Sequence, residues 1–264
     1  MLQHDGLPNH VSLQYNILSE FVMLKHNLLG LGNVKENIMS KHESKKITRR
    51  RAMAVSLGAA GAAAVGPVQA SARPAGGGSL KGKRVLVGIG EFSEGMETYY
   101  MVYRLMEEGI VPVVAAAKAG PVHMVVHDFD PKYTNYTEKP GYVINADIGY
   151  ADVKPADYDA FLIPGGRGPE EMRQRKDVLK IARYFMDKGL PLGAMCHGPQ
   201  VLWAAGSVKG RRMTCYYGIQ ADLELAGATF VDAPTVIDGP LVTSRGWPDL
   251  PDFMPKFLRV LAAS

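Results

Sequence analysis

The run Gly193-Ala194-Met195-Cys196-His197-Gly198-Pro199-Gln200 constrains this chain more than any other stretch. It lies between an apolar segment and a helical pattern, and it sets small residues two positions to either side of a cysteine. That spacing suits a nucleophile elbow, a sharp strand-to-helix turn that pushes one reactive side chain out of a sheet. Ala194 and Gly198 fit because bulkier side chains would collide in so tight a turn. The helix expected to follow turns free N–H groups and its positive end toward Cys196, which predicts a bias toward thiolate. His197 adds a proton carrier. The plainer alternative for a lone cysteine is an inert, buried strand end.

An elbow requires alternating strands and helices around it, and the pattern supplies them. Short apolar β runs fall at 84–89, 111–116, 160–163, 190–194, 229–231 and 241–243. Helical periodicity covers 96–108, 178–188, 200–205, 220–226 and 253–262. Residues 120–150 carry turn residues and short β runs and read as an excursion from the main sheet. The alternation predicts an α/β fold with a mostly parallel central sheet covered on both faces. Sites in such sheets form at the carboxyl ends of strands. The elbow, the Pro164-Gly165-Gly166 turn and the 90–97 loop all follow strands.

The first 72 residues read differently. Thr48-Arg49-Arg50-Arg51-Ala52-Met53 precedes a weakly apolar Ala/Gly run, and small residues align at Val68-Gln69-Ala70 and Ala70-Ser71-Ala72. This predicts a twin-arginine export signal cleaved near Ala70 or Ala72, with a periplasmic or extracytoplasmic destination. The run is too short and too glycine-rich for a membrane span. A flexible basic arm is the alternative. Residues 1–38 look like an over-extended start, Met39 being a natural beginning. Residues 73–83 read as a linker, and 84–264 as one domain.

Residues 1–72 hold eight Lys/Arg and four Asp/Glu of the chain's 30 and 26, leaving 22 of each sign beyond. The basic balance therefore belongs to the leader and does not argue for nucleic acid. The two cysteines, Cys196 and Cys215, make no disulfide framework, although a bridge between them would disarm the elbow. No Cys/His spacing resembles a zinc site, and no metal or cofactor is expected.

Glu97 follows the first strand at a helix start. A carboxyl group near a cysteine in a semi-buried pocket would have a raised pKa and could act as general acid or base. An ordinary first-turn glutamate is the alternative, and Glu91 and Glu94 read as solvated. Gly165 and Gly166 can bring backbone N–H groups to a substrate oxygen, completing an oxyanion hole with the N–H of His197. Arg167 suits either a substrate carboxylate or a structural ion pair. Trp247 suits a pocket wall or the core. His123 and His127 read as structural more readily than as site residues. Tyr99, Tyr100 and Tyr103 read as packing or a subunit contact.

Together, 160–166, Arg167-Gly168-Pro169-Glu170, the elbow and Ala205-Gly206-Ser207-Val208-Lys209-Gly210-Arg211 resemble the ThiJ/PfpI superfamily, whose members are similar to class I glutamine amidotransferase domains. His127-Asp128-Phe129, Tyr136-Thr137-Glu138-Lys139-Pro140-Gly141 and Gly246-Trp247-Pro248 resemble its PfpI-type and plant glyoxalase III-type branch. The resemblance implies a flavodoxin-like three-layer sandwich in dimers or larger rings. It implies Cys196 as nucleophile, Glu97 as its carboxyl partner, His197 as acid/base, and Gly165 and Gly166 at the oxyanion. The family's activities include glutathione-independent conversion of methylglyoxal to lactate, deglycation, peptidase activity and redox-linked chaperoning. The leading expectation is a cofactor-free cysteine enzyme on small reactive carbonyls. A peptidase or amidase is the second. It would need an orienting group from a neighbouring subunit, since adjacent Cys196 and His197 are not expected to face each other. A redox-responsive chaperone without turnover is the third.

Overall fold

The structure is a computed structural model that describes residues 79–264. The segment expected to be a twin-arginine signal, with its expected cleavage site, and most of the expected linker lie outside the described residues. The end of the linker is already part of the domain, because the Gly82 N–H donates to Gly109 O at 2.9 Å.

The strands are β1 (Arg84–Gly88), β2 (Val111–Ala116), β3 (Gly120–Asp128), β4 (Thr137–Ala146), β5 (Ile148–Gly149), β6 (Ala160–Ile163), β7 (Leu192–Met195), β8 (Arg212–Met213), β9 (Thr229–Phe230), β10 (Thr235–Asp238) and β11 (Leu241–Ser244). The α-helices are α1 (Gly95–Glu107), α2 (Gly168–Met172), α3 (Lys176–Asp187), α4 (Pro199–Ala204), α5 (Gln220–Leu225) and α6 (Leu250–Ala262). The main sheet runs β10-β11-β7-β6-β1-β2-β5. Every pairing in it is parallel except β10 with β11. This is the α/β layout expected from the alternating pattern.

Strands β1, β6 and β7 are almost wholly buried, which is why they read as continuous apolar runs rather than alternating ones. Helices α1 and α6 pack together, as do α3 and α4. Gly193 on β7 leaves room for this packing: a Cβ there would overlap Leu162 and press on Phe253 and Phe257 of α6. Phe161, Phe185, Phe253 and Phe257 are among the largest fully buried side chains of the core.

The excursion at 120–150 is a long antiparallel pair, β3 with β4, with a register shift between His123 and Val125. It is pinned to the loop after β1. The Val125 N–H donates to Ser93 O at 3.0 Å and the Phe92 N–H to His123 O at 2.7 Å. That anchoring directs the far end of the pair, with His127, Tyr136 and Glu138, toward the carboxyl ends of the parallel strands.

Candidate active site

Four neighbouring parallel strands, β11, β7, β6 and β1, deliver the site at their carboxyl ends. Strand β7 ends in Cys196, whose φ of 55° is left-handed. That region is costly for a residue with a Cβ. The turn is held on both sides: the Cys196 N–H donates to Ser244 O at 3.0 Å, and the Tyr216 N–H donates to Cys196 O at 3.1 Å. A Cβ on Gly198 would overlap the Ile163 carbonyl, so only glycine lets the chain leave the elbow this way.

Cys196 is buried, with its Sγ 3.3 Å from Nδ1 of His197. The two adjacent side chains do face each other, contrary to expectation, because the left-handed elbow rotates the cysteine back over the following ring. The expected bias toward thiolate is also corrected. Burial pushes the thiol well above its usual pKa, and a charge on Glu97 would push it further. The Gly166 and His197 N–H groups oppose this. Helix α4 has only six residues and begins with proline, so it offers little opposing field. His197 is lowered to about 4, by burial first and the charge of His127 second, so its ring is neutral near pH 7.

Glu97 is fully buried on α1. Its Oε2 accepts the Gly165 N–H at 2.6 Å. Its Oε1 makes no hydrogen bond of ordinary geometry, although the Cys196 thiol and the Trp247 N–H approach closely enough to favour the charged form. Burial, then the neighbouring Glu94, raises its pKa well above the usual range. Glu94 is the unexpected member. It read as solvated but is buried, capping α1 by accepting the Glu97 N–H at 2.8 Å. Burial raises its pKa too, but N–H groups of Glu97, His127 and Met96 hold it down. Of these two carboxyl groups, Glu97 is the one pushed further toward its protonated form.

Gly165 and Gly166 play different parts. The Gly165 N–H is committed to Glu97, which corrects the expectation that both glycines point N–H groups at a substrate oxygen. Its carbonyl accepts the Glu94 N–H at 3.1 Å, so one glycine ties both carboxylate-bearing residues to β6. The N–H groups directed at the sulfur belong to Gly166 and His197. Gly166 has φ 76°, and a Cβ there would overlap the Glu94 N–H and press on Phe92 O.

Aromatic rings surround the histidine. His197 lies 5.0 Å from the Tyr216 ring and 6.0 Å from the Tyr136 ring, and Tyr136 lies 4.3 Å from His127. His127 is therefore beside the site, whereas His123 is exposed and pairs with Glu91 at 3.5 Å. Trp247 stands after β11 with its ring 6.1 Å from Phe129. Arg167 is held by Glu138, its Nε donating at 2.8 Å and its Nη2 at 2.7 Å. Tyr136 and Glu138 stood in a stretch resembling the family's PfpI-type branch but were given no site role, and Tyr216 had no sequence signal, since each reaches the site through pairings between distant segments. Cys215 is buried and free, as is Cys196, so no bridge disarms the elbow. Among the described residues no cluster of His, Cys, Asp and Glu is arranged to hold a metal ion.

This arrangement combines a thiol, a neutral imidazole and a protonated carboxyl group in one buried corner, which is the equipment of covalent catalysis at a carbonyl. The DJ-1/PfpI family description matches residues 83–260. The chain is 36% identical over 179 residues to Deglycase PfpI of Pyrococcus furiosus, covering 68% of this chain and 99% of that one. It is 34% identical over 194 residues to Protein DJ-1 homolog D of Arabidopsis thaliana, covering 70% of this chain but only 50% of that longer one. The crystal structure of Drosophila melanogaster DJ-1beta superposes with a TM-score of 0.59 at 27% identity, covering 69% of this chain and 92% of that one. With its elbow, its sheet order and its sequence in agreement, the chain belongs to the DJ-1/PfpI family.

Proposed function

We propose that this protein is a cysteine-dependent enzyme acting on small reactive α-oxoaldehydes and on their early adducts with amines and thiols. The observation that carries the reading is the contact set Cys196 Sγ–His197 Nδ1 at 3.3 Å and Glu97 Oε2–Gly165 N at 2.6 Å, with the buried Glu97 carboxyl group close enough to interact with the Cys196 thiol. Relatives named deglycases support the class of reaction.

The chemistry follows from the protonation states. Both the thiol and Glu97 hold protons at rest, and His197 is an empty base. Sγ attacks the aldehyde carbon as its proton passes to Nδ1 of His197. The oxyanion forms against the N–H groups of Gly166 and His197 and then takes that proton, giving a hemithioacetal. His197, again neutral, removes hydrogen from the former aldehyde carbon while Glu97 gives its proton to the neighbouring carbonyl oxygen. His197 returns its proton to the second carbon while the hydroxyl on the sulfur-bearing carbon gives its proton back to Glu97, which leaves a thioester of a hydroxy acid. Water cleaves the thioester, restoring the thiol. For methylglyoxal the sum is aldehyde plus water to lactate, one carbon oxidised and its neighbour reduced, so no external redox partner is required.

The test is lactate formed from methylglyoxal, without glutathione, by the full-length protein and by Cys196→Ala. Catalytic lactate that disappears in the variant supports the reading. No lactate from protein with titratable Cys196 overturns it. The Cys196–His197 contact also suits acyl transfer, so cleavage of small amide reporters in place of lactate would favour an amidase. We further propose export by the leader and self-association through the exposed Tyr100, Tyr103 and Tyr142. Reporter secretion from residues 39–72 and the sedimentation mass check these two points.

A further inference from the structure

Arg167 is the cation that immediately follows the Gly166 N–H directed at the sulfur. A cation there would draw anionic substrates, yet the structure takes it out of play. Glu138 of β4 accepts from both Nε and Nη2, a bidentate charge-assisted pair. The same Glu138 Oε2 lies 3.0 Å from Nε2 of buried His127. The guanidinium plane rests on the Phe92 ring, 4.5 Å from its centroid. Arg167 and Glu138 cancel as ions, and burial lowers the pKa of His127 toward the neutral ring. The Tyr136 ring lies 4.3 Å from that of His127 and 6.0 Å from that of His197, which links the cancelled pair's histidine to the ring beside Cys196.

We propose that Glu138 is a specificity-determining residue that neutralises Arg167 and makes this site select uncharged carbonyl compounds over those bearing a carboxylate. Glu138 takes the Nε/Nη2 edge of the guanidinium and offsets its charge, so a carboxylate ligand meets only the remaining donors of an already neutralised cation. The proposal deepens the reading of Cys196 as the reactive centre but does not need turnover to be tested.

The experiment compares the rates at which neutral iodoacetamide and anionic iodoacetate alkylate Cys196 in the full-length protein, read by mass spectrometry of the Cys196 peptide. Free cysteine sets the chemical baseline of the ratio. The native protein favours iodoacetamide beyond that baseline. Glu138→Gln keeps the side-chain shape and removes the charge, and it lowers the ratio by about ten-fold, in line with the loss of one charge-assisted contact to the anion's competitor. Adding Arg167→Gln to Glu138→Gln abolishes the shift. An unchanged ratio in Glu138→Gln, or a shift that persists without Arg167, overturns the proposal. Because alkylation needs only an accessible thiol, a protein that makes no lactate but shows the shift would sink the catalytic reading and leave this one standing.

Discussion

The Glu97 carboxyl group accepts the Gly165 N–H at 2.6 Å and lies close enough to interact with the Cys196 thiol. One buried acid therefore joins the glycine turn after β6 to the nucleophile after β7. Burial first, and the neighbouring Glu94 second, favour its protonated form.

Removing that proton's carrier has opposite effects on activity and stability. Glu97→Gln cannot donate as an acid and is expected to lower kcat/KM for methylglyoxal by at least about a hundred-fold, the usual contribution of general acid catalysis. Its effect on stability has the other sign. The folded-state pKa of Glu97 is raised above 4.5, so the stability linked to it is full below 4.5 and declines as pH rises toward the folded value. Urea unfolding at pH 8 should show Glu97→Gln more stable than the native protein, and the gain should vanish at pH 4.

His197 is linked to pH in the other direction. Its folded-state value is lowered to about 4 from 6.5, so the stability tied to its neutral ring is full above 6.5 and drains as pH falls toward 4. His197→Gln should flatten the loss of unfolding midpoint across that window. The same depressed value keeps the base available, so the acid limb of kcat/KM should fall well below pH 6.5.

The left-handed backbone at Cys196 predicts a ranking of two inactive variants. Cys196→Ala retains a Cβ in the costly region, whereas Cys196→Gly does not. The glycine variant should unfold at higher urea, by about 1 kcal/mol relative to alanine once the greater freedom of the unfolded glycine is counted. A glycine variant less stable than alanine by about 0.5–1 kcal/mol, the entropy cost alone, would mean that the elbow carries no backbone strain.

The two glycines after β6 should fail differently. At Gly166 a Cβ meets backbone of Glu94 and Phe92 and the φ of 76° is unfavourable, so Gly166→Ala should lose thermal stability strongly. At Gly165 a Cβ would stand 2.9 Å from Sγ of Cys196 and 2.5 Å from its Cβ. Gly165→Ala should therefore show a larger loss of Cys196 alkylation rate than of melting temperature.

Much of this was readable in the chain because the parallel strands are buried on both faces and the elbow requires small residues at fixed places. Cys196 and Ala194 announced themselves through steric necessity. What escaped had physical causes. Glu94 looked solvated because a charged residue before a helix normally is, and only the N–H groups of Glu97, Met96 and His127 make its burial tolerable. The 235–238 strand was missed because it is a short antiparallel edge next to the Asp238-Gly239 turn. Helix α2 was missed because its five residues are too few to show a period. Tyr136 and Glu138 stood in a stretch that resembled the family, but their place beside the elbow, like that of Tyr216, comes from the long β3–β4 pair and the segment after β8, distant pairings that a single sequence does not reveal.

The proposed nucleophile and oxyanion donors follow strands of the parallel sheet and the proposed acid sits on α1, while His127 and Glu138 arrive on the separate β3–β4 pair, with Tyr136 just ahead of β4. Reaction and selection are thus inherited on different pieces of chain. Substitutions within 120–146 can retune which carbonyl is accepted and leave the elbow untouched, so a change of diet requires no reinvention of the chemistry. The same division makes that pair the natural segment to exchange between relatives when a new substrate is wanted.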